Sequence, residues 1–287
     1  MNSPYVRRLR LARELVELRK ESGLTHEQLA QKIGQSRAQI SRLENGHVVD
    51  LGDVMNILEV CGVVDDRWTA VMTIAREAAE RGWWESNKAM GARQALSANL
   101  EAGAVTIREF QMIFIPGLLQ TPEFVRARVD AERALGPVDY SADRAAEGRL
   151  GRQRMLRRPD GPTYHVVIDE LAIRRATAPP EVLRAQLLHM AATVNGSPKV
   201  TAQVLPVSAS IEAYGTPRSA FSIYTFADPG DPTVVTVDTV TDDLLLTEVE
   251  EVRRYADLFG RLRQAAMPPE ESIELLIEIA RALAVGA

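Results

Sequence analysis

Between Thr25 and Gly46 the chain reads THEQLAQKIGQSRAQISRLENG, and this run holds the side chains best spaced to do chemistry. Ser36, Arg37, Gln39 and Arg42 fall on one side of a short helical period, with Ile40 and Leu43 on the other. Hydroxyl, amide and guanidinium groups in that pattern suit base edges and phosphates. Other chemistry is poorly supplied. The four histidines, His26, His47, His165 and His189, have no metal-ligand spacing, and the single Cys61 cannot build a structural zinc site. His26-Glu27 lacks the second histidine of a zinc-protease helix, and no nucleophile elbow, phosphate loop or dinucleotide fingerprint occurs. His165 and Asp169 would share one face of a strand, with Glu170 next. They read as an acid–base pair or, more simply, as polar groups satisfied beside a core strand. No catalytic set, metal or cofactor is expected.

Reading DNA with those side chains requires two short helices held at a steep angle. A small residue must sit where they touch, and Ala30 supplies it. The turn needs a residue that accepts positive φ, and Gly34 supplies that. Thr25 is an N-cap with Gln28 completing a capping box, and Ser36 caps the next helix, which Asn45-Gly46 ends. A compact hairpin without DNA binding would also use Ala30, Gly34 and Ile40. The caps, the lengths and the polar outer face together favour a helix-turn-helix. Around it, Leu9, Leu11, Leu15 and Leu18 mark a first helix ended at Gly23. A fourth follows Asp50 with Val54, Ile57, Leu58 and Cys61 inward, and a fifth spans about 66–81.

Gly23-Leu24-Thr25, Leu29-Ala30-Gln31-Lys32-Ile33-Gly34 and Ile40-Ser41-Arg42-Leu43-Glu44-Asn45-Gly46 resemble the XRE (Cro/cI-like) family of helix-turn-helix regulators over about residues 9–64. His26 departs from that pattern, which has glutamine there. The resemblance implies DNA contacts from Thr25, His26, Ser36, Arg37, Gln39, Arg42 and Asn45. It also implies a structural ion pair between Arg19 and Glu44. A histidine on a phosphate would make the contact depend on pH. Trp83-Trp84, Leu100-Glu101-Ala102, the run Pro116 to Pro122 (PGLLQTP), Arg152-Gln153, Asp169-Glu170, Gln186-Leu187 and Gln203 to Pro206 resemble the C-terminal domain of actinobacterial antitoxin-like regulators. That resemblance implies a domain that senses a ligand or binds a small protein encoded nearby. The alternative function is an antitoxin-like binder that sequesters its partner and autoregulates.

Composition agrees with such a protein. Of 287 residues 46% are apolar and 25% charged, which excludes a disordered, collagen-like or disulfide-framework chain. Residues 1–50 hold nine Lys/Arg against six Asp/Glu, a net of +3 on a remainder of −8. No apolar run approaches the ~20 residues of a membrane helix and no signal peptide is visible, so a cytoplasmic protein is expected. After Trp83-Trp84, expected to be a packing hinge, the predicted elements alternate. They are an extended segment at 104–115, helices after Thr121-Pro122 and over about 141–157, and a strand at 164–168. A helix at 180–194 and strands at 199–205, 219–226 and 233–238 follow, then helices at about 246–266 and 269–285. The fold class expected is mixed: an all-α five-helix head, then an α/β domain with a mixed sheet covered by helices. The expected domains are 5–66 for DNA, 67–104 as connecting helix and hinge, and 105–285 for effector binding and dimerisation. The expected partner is a palindromic double-stranded operator bound by a homodimer, with no membrane. The arginines at 149, 152, 154, 157 and 158 read as a solvated helix face or a second phosphate patch.

Overall fold

The computed structural model describes residues 2–47, 49–86, 90–135, 141–239 and 243–285, which divide into two compact units. The first is helical: α1 (Pro4–Glu21), α2 (His26–Ile33), α3 (Arg37–Glu44), α4 (Leu51–Val60), α5 (Asp65–Ala79) and the short α6 (Trp83–Ser86). Leu11, Leu15, Leu18, Leu29, Ile40, Val54, Ile57 and Leu58 form one buried cluster. That cluster continues through Val71, Met72, Ile74, Ala75 and Ala78, so the head's apolar core extends beyond residue 66. Trp84 is buried and Trp83 half-exposed, with their rings edge to face at 6.0 Å.

Two distant segments complete this unit: residues 96–103 of α7 (Ala92–Gly103), and 226–232. Periodicity did not reveal α7, because Ala98, Asn99, Leu100, Glu101 and Ala102 are buried in succession, polar and apolar alike, so burial does not follow the apolar pattern. Ser3 Oγ donates to Asn99 Oδ1 at 2.7 Å. Arg7, almost fully buried, reaches Glu77 through Nε at 2.8 Å, and Asp228 and Asp231 through Nη1 at 2.9 and 3.0 Å. Arg10 adds a 2.6 Å contact to Asp228. The Arg7 hydrogen bond, with the Gly230 backbone N–H next, holds the Asp228 carboxyl down to about 2, whereas burial raises that of Asp231.

The second unit is built on a six-stranded sheet. Its strands are β1 (Ala104–Gln111), β2 (Thr163–Asp169), β3 (Val200–Leu205), β4 (Phe221–Phe226), β5 (Val234–Val237) and β6 (Leu244–Leu246), in the order β3-β2-β1-β4-β5-β6. β1, β2 and β3 pair in parallel, and β4, β5 and β6 antiparallel, so the sheet is mixed. Its helices are α8 (Pro122–Leu135), α9 (Ala142–Gln153), α10 (Glu170–Arg174), α11 (Pro180–Asn195), α12 (Val249–Ala265) and α13 (Pro269–Val285). α12 seats Phe259 and Leu262 on the face made by Phe110, Val167, Leu205, Phe221, Ile223, Val235 and Val237. The alternate residues face the other way. There Tyr164 Oη donates to Glu109 Oε2 at 2.6 Å and Gln111 Nε2 donates to Glu109 Oε1 at 2.8 Å, all three buried.

The expected extended segment ends at Gln111 rather than at 115. Leu244–Leu246 is a strand, where a helix was expected to begin at 246. Three consecutive leucines carry no period of their own, and pairing with β5 decides their conformation. No helix among the described residues is long and apolar enough to cross a membrane.

Candidate nucleic-acid interface

The turn between α2 and α3 is set by local chemistry. Thr25 Oγ1 accepts from the Gln28 backbone N–H at 3.2 Å, and the Gln28 side chain accepts from the Thr25 N–H at 2.9 Å. α2 stops at Gly34, whose φ of 70° is costly for any residue with a Cβ. The Gln35 N–H then closes back on Ala30 O at 2.9 Å, which satisfies an end carbonyl of α2. Ser36 caps α3 by accepting from the Gln39 N–H at 3.1 Å. Ile40 and Leu43 bury the inner side of α3, and Ala30 is buried at the crossing. α3 is thereby fixed in rotation, and its opposite side faces water.

On that side Arg37 and Arg42 are exposed, and their side chains have no ion pair or hydrogen bond among the described residues. The other residues chosen from sequence are used by the protein itself. Ser36 and Thr25 are caps. Asn45 Nδ2 donates back to Ser41 O at 2.6 Å. Gln39 Nε2 donates to Asp53 Oδ2 at 3.0 Å, and Gln35 Nε2 donates to Asp53 Oδ1 at 2.7 Å. Asp53, in the first turn of α4 and only 5% exposed, thus clamps the start of α3. Sequence reasoning missed it, because a buried aspartate 14 and 18 residues from its partners leaves no local pattern.

His26 also points into the fold. Its Nε2 lies 2.9 Å from Glu44 Oε2. Arg19 grips the same carboxylate from the other side, Nε to Oε1 at 2.6 Å and Nη2 to Oε2 at 2.8 Å, while Nη1 donates to Leu24 O at 3.1 Å. The side chains of Arg19 and Glu44 are 11% and 5% exposed. The Glu44 hydrogen bond pushes the Arg19 guanidinium further up from its usual range. His26 is therefore tied to the Arg19–Glu44 pair.

The remaining sequence candidates separate. His165 Nε2 lies 2.8 Å from Gln203 Oε1, whereas Asp169 accepts from the Leu171 N–H at 2.9 Å as the cap of α10, so each has its own partner. In the arginine run, Arg152 Nη1 donates to Gln94 at 2.5 Å and Arg158 pairs with Asp160 at 3.4 Å. Leu118 and Leu119, in the turn after β1, are core residues. No group of three or more His, Cys, Asp or Glu among the described residues is placed to hold a metal.

Two family models match the chain. One, described as a helix-turn-helix domain, covers residues 10–69. The other, a domain of unknown function (DUF5753), covers residues 94–278. No curated protein and no solved structure matches. The helix-turn-helix match and the geometry of α2 and α3 support a DNA-binding regulator. The second match spans well over half of the chain, so the protein belongs to the DUF5753 family, with that domain following a DNA-binding head in the sequence.

Proposed function

We propose that this protein is a sequence-specific transcriptional regulator of the XRE type, with α3 entering the major groove of its operator. The observation that carries the reading is the state of α3. Its two arginines are exposed and uncommitted, while Ile40, Leu43 and the Gln39–Asp53 bond fix the rest of the helix against the head. Arg37, in the first turn, takes the base-reading role, and Arg42 takes base or phosphate. Ser36, Thr25 and the α2 N-terminus support phosphates through backbone N–H groups. Gln39, His26 and Asn45 contribute by holding the helices in place.

An eight-residue helix reads few base pairs, so useful affinity requires two heads on a palindrome with half-sites about one DNA turn apart. The DUF5753 domain is assigned the pairing of two chains and the response to a ligand or to a small partner protein. In vitro selection of duplexes by the full chain tests the reading. A palindromic motif should emerge, and Arg37→Ala should cost about 1–3 kcal/mol on it while relaxing one position. Arg42→Ala should lower the slope of log affinity against log salt by about one if it holds a phosphate. Enrichment of no motif, with equal affinity for every duplex, overturns sequence-specific regulation.

A further inference from the structure

We infer that the second unit holds a small-oxyanion site, for a carboxylate or a phosphate-like group, where Arg108 and His165 meet at the Phe259 ring and Arg263 adds its charge. The inference goes beyond the DNA-binding reading and does not depend on it. Arg108 on β1 and His165 on β2 are register partners of adjacent parallel strands, so their side chains stand side by side on the face that α12 covers. Phe259 orders both. The Arg108 guanidinium lies over its ring at 5.9 Å from the centroid, and the His165 ring meets it edge-on at 5.4 Å. Arg263 follows one turn later on α12.

The charge at this place is of one sign. Arg108 is half-buried and has neither a hydrogen bond nor a carboxylate among the described residues, its charged neighbour being Arg263. Burial first, then Arg263, lowers its guanidinium pKa from the usual value. Arg263 sits in the last turn of α12, where the helix C-terminus offsets part of its charge. Arg108, on a strand, has only the Phe259 ring face to offset its charge. A half-buried cation beside a second cation is costly, and an oxyanion between them reduces that cost.

The histidine adds a proton-linked contact. Gln203 Nε2 donates to Met267 O at 2.8 Å, so Gln203 Oε1 is the end that faces His165 Nε2 at 2.8 Å. Nε2 must therefore carry the proton, and Nδ1 holds the lone pair of the neutral ring. Burial foremost, reinforced by Arg263 and Arg108 and opposed by the Gln203 bond, keeps His165 below the usual imidazole range. The charged groups facing it are Arg108 from β1 and Arg263 from α12, and β3 presents the neutral Gln203. An anion between the arginines reverses that field, favours a proton on Nδ1 and is held more tightly as pH falls.

The test is a pH titration of the imidazole C–H resonances of the full chain, with His165 assigned by its loss in His165→Gln. Spectra are recorded in sodium chloride and, at equal ionic strength, in sulfate or acetate. Sulfate keeps its charge across the range and stands for phosphate-like groups, and acetate stands for carboxylates. The expected result is that one of them moves the His165 signal and raises its midpoint relative to chloride. Arg263→Gln, an exposed position, should weaken that response about tenfold, the loss of one charge-assisted contact. Arg108→Met should abolish it. The proposal is overturned if the His165 midpoint is the same in all three salts, if Arg263→Gln responds as the unaltered chain does, or if only a DNA duplex moves the signal. Should Arg108→Met fail to fold, Arg263→Gln decides alone.

Discussion

Glu44 shows how one residue can settle the roles of two others. Its nearly buried carboxylate accepts the Arg19 fork and meets His26, so both basic side chains are engaged within the head. Removing one partner of such a pair leaves a charge with little access to water, the Glu44 side chain being only 5% exposed. Arg19→Met should therefore destabilise the chain toward the low end of roughly 3–5 kcal/mol, with His26 retaining a contact to Glu44. Thermal unfolding without DNA reads this directly. Arg19→Met combined with Glu44→Leu should recover much of the loss, because an apolar pair can replace a buried bridge. Unchanged melting with a weaker, salt-sensitive DNA affinity would instead make Arg19 a phosphate ligand.

At the scale of elements, the start of α3 depends on α4. Asp53 takes one hydrogen bond from Gln35 and one from Gln39, fixing the turn and the first turn of α3 together. Asp53→Ala should cost about 1–3 kcal/mol through the two charge-assisted hydrogen bonds it removes, and should weaken binding to every duplex rather than change the preferred sequence. Competition assays with matched and mismatched operators, beside melting curves, check both halves. The 226–232 segment gives the first unit an acid-sensitive tie. Asp228 is held at about 2, below its ordinary 3.8, so the stability it contributes is complete above that ordinary value. It is lost as pH falls from there toward 2. Asp231 works the other way, since burial disfavours its charged form and protonation relieves it. Asp228→Asn should flatten the low-pH limb of the unfolding profile, and Asp231→Asn should not. Equal limbs in the original and Asp228→Asn chains would remove Asp228 from the acid response.

Across the whole molecule, the first unit is not a contiguous stretch of chain. Ser3 depends on Asn99, and buried Arg7 depends on Asp228 and Asp231 as well as Glu77. A chain cut after residue 86 keeps every helix from α1 to α6 yet leaves Arg7 with Glu77 alone. It should melt below the corresponding transition of the full chain, and Asp228→Asn with Asp231→Asn in the full chain should reproduce part of that loss. Denaturant unfolding followed by tryptophan fluorescence compares the three. Equal midpoints would show that the first 86 residues are energetically complete.

The sequence by itself determined the head. Its helices, caps and turn follow from interactions at most a few residues long: Thr25 with Gln28, Ser36 with Gln39, and Gly34 at positive φ. The alternation of elements also fixed the mixed sheet, because strand and helix periods are local. Tertiary structure decided which polar side chains remain available. Arg37, Gln39, Arg42 and Asn45 are equivalent as hydrogen-bonding residues on one helix period, yet Asp53 and Ser41 take two of them and leave the arginines. It also decided α7, whose buried length has no period, and β6, which exists because β5 pairs with it. The meeting of Arg108 and His165 at Phe259, with the charge of Arg263 nearby, lay equally beyond the sequence. Residues some 57 to 155 positions apart meet only when parallel strands set their register and α12 covers that face.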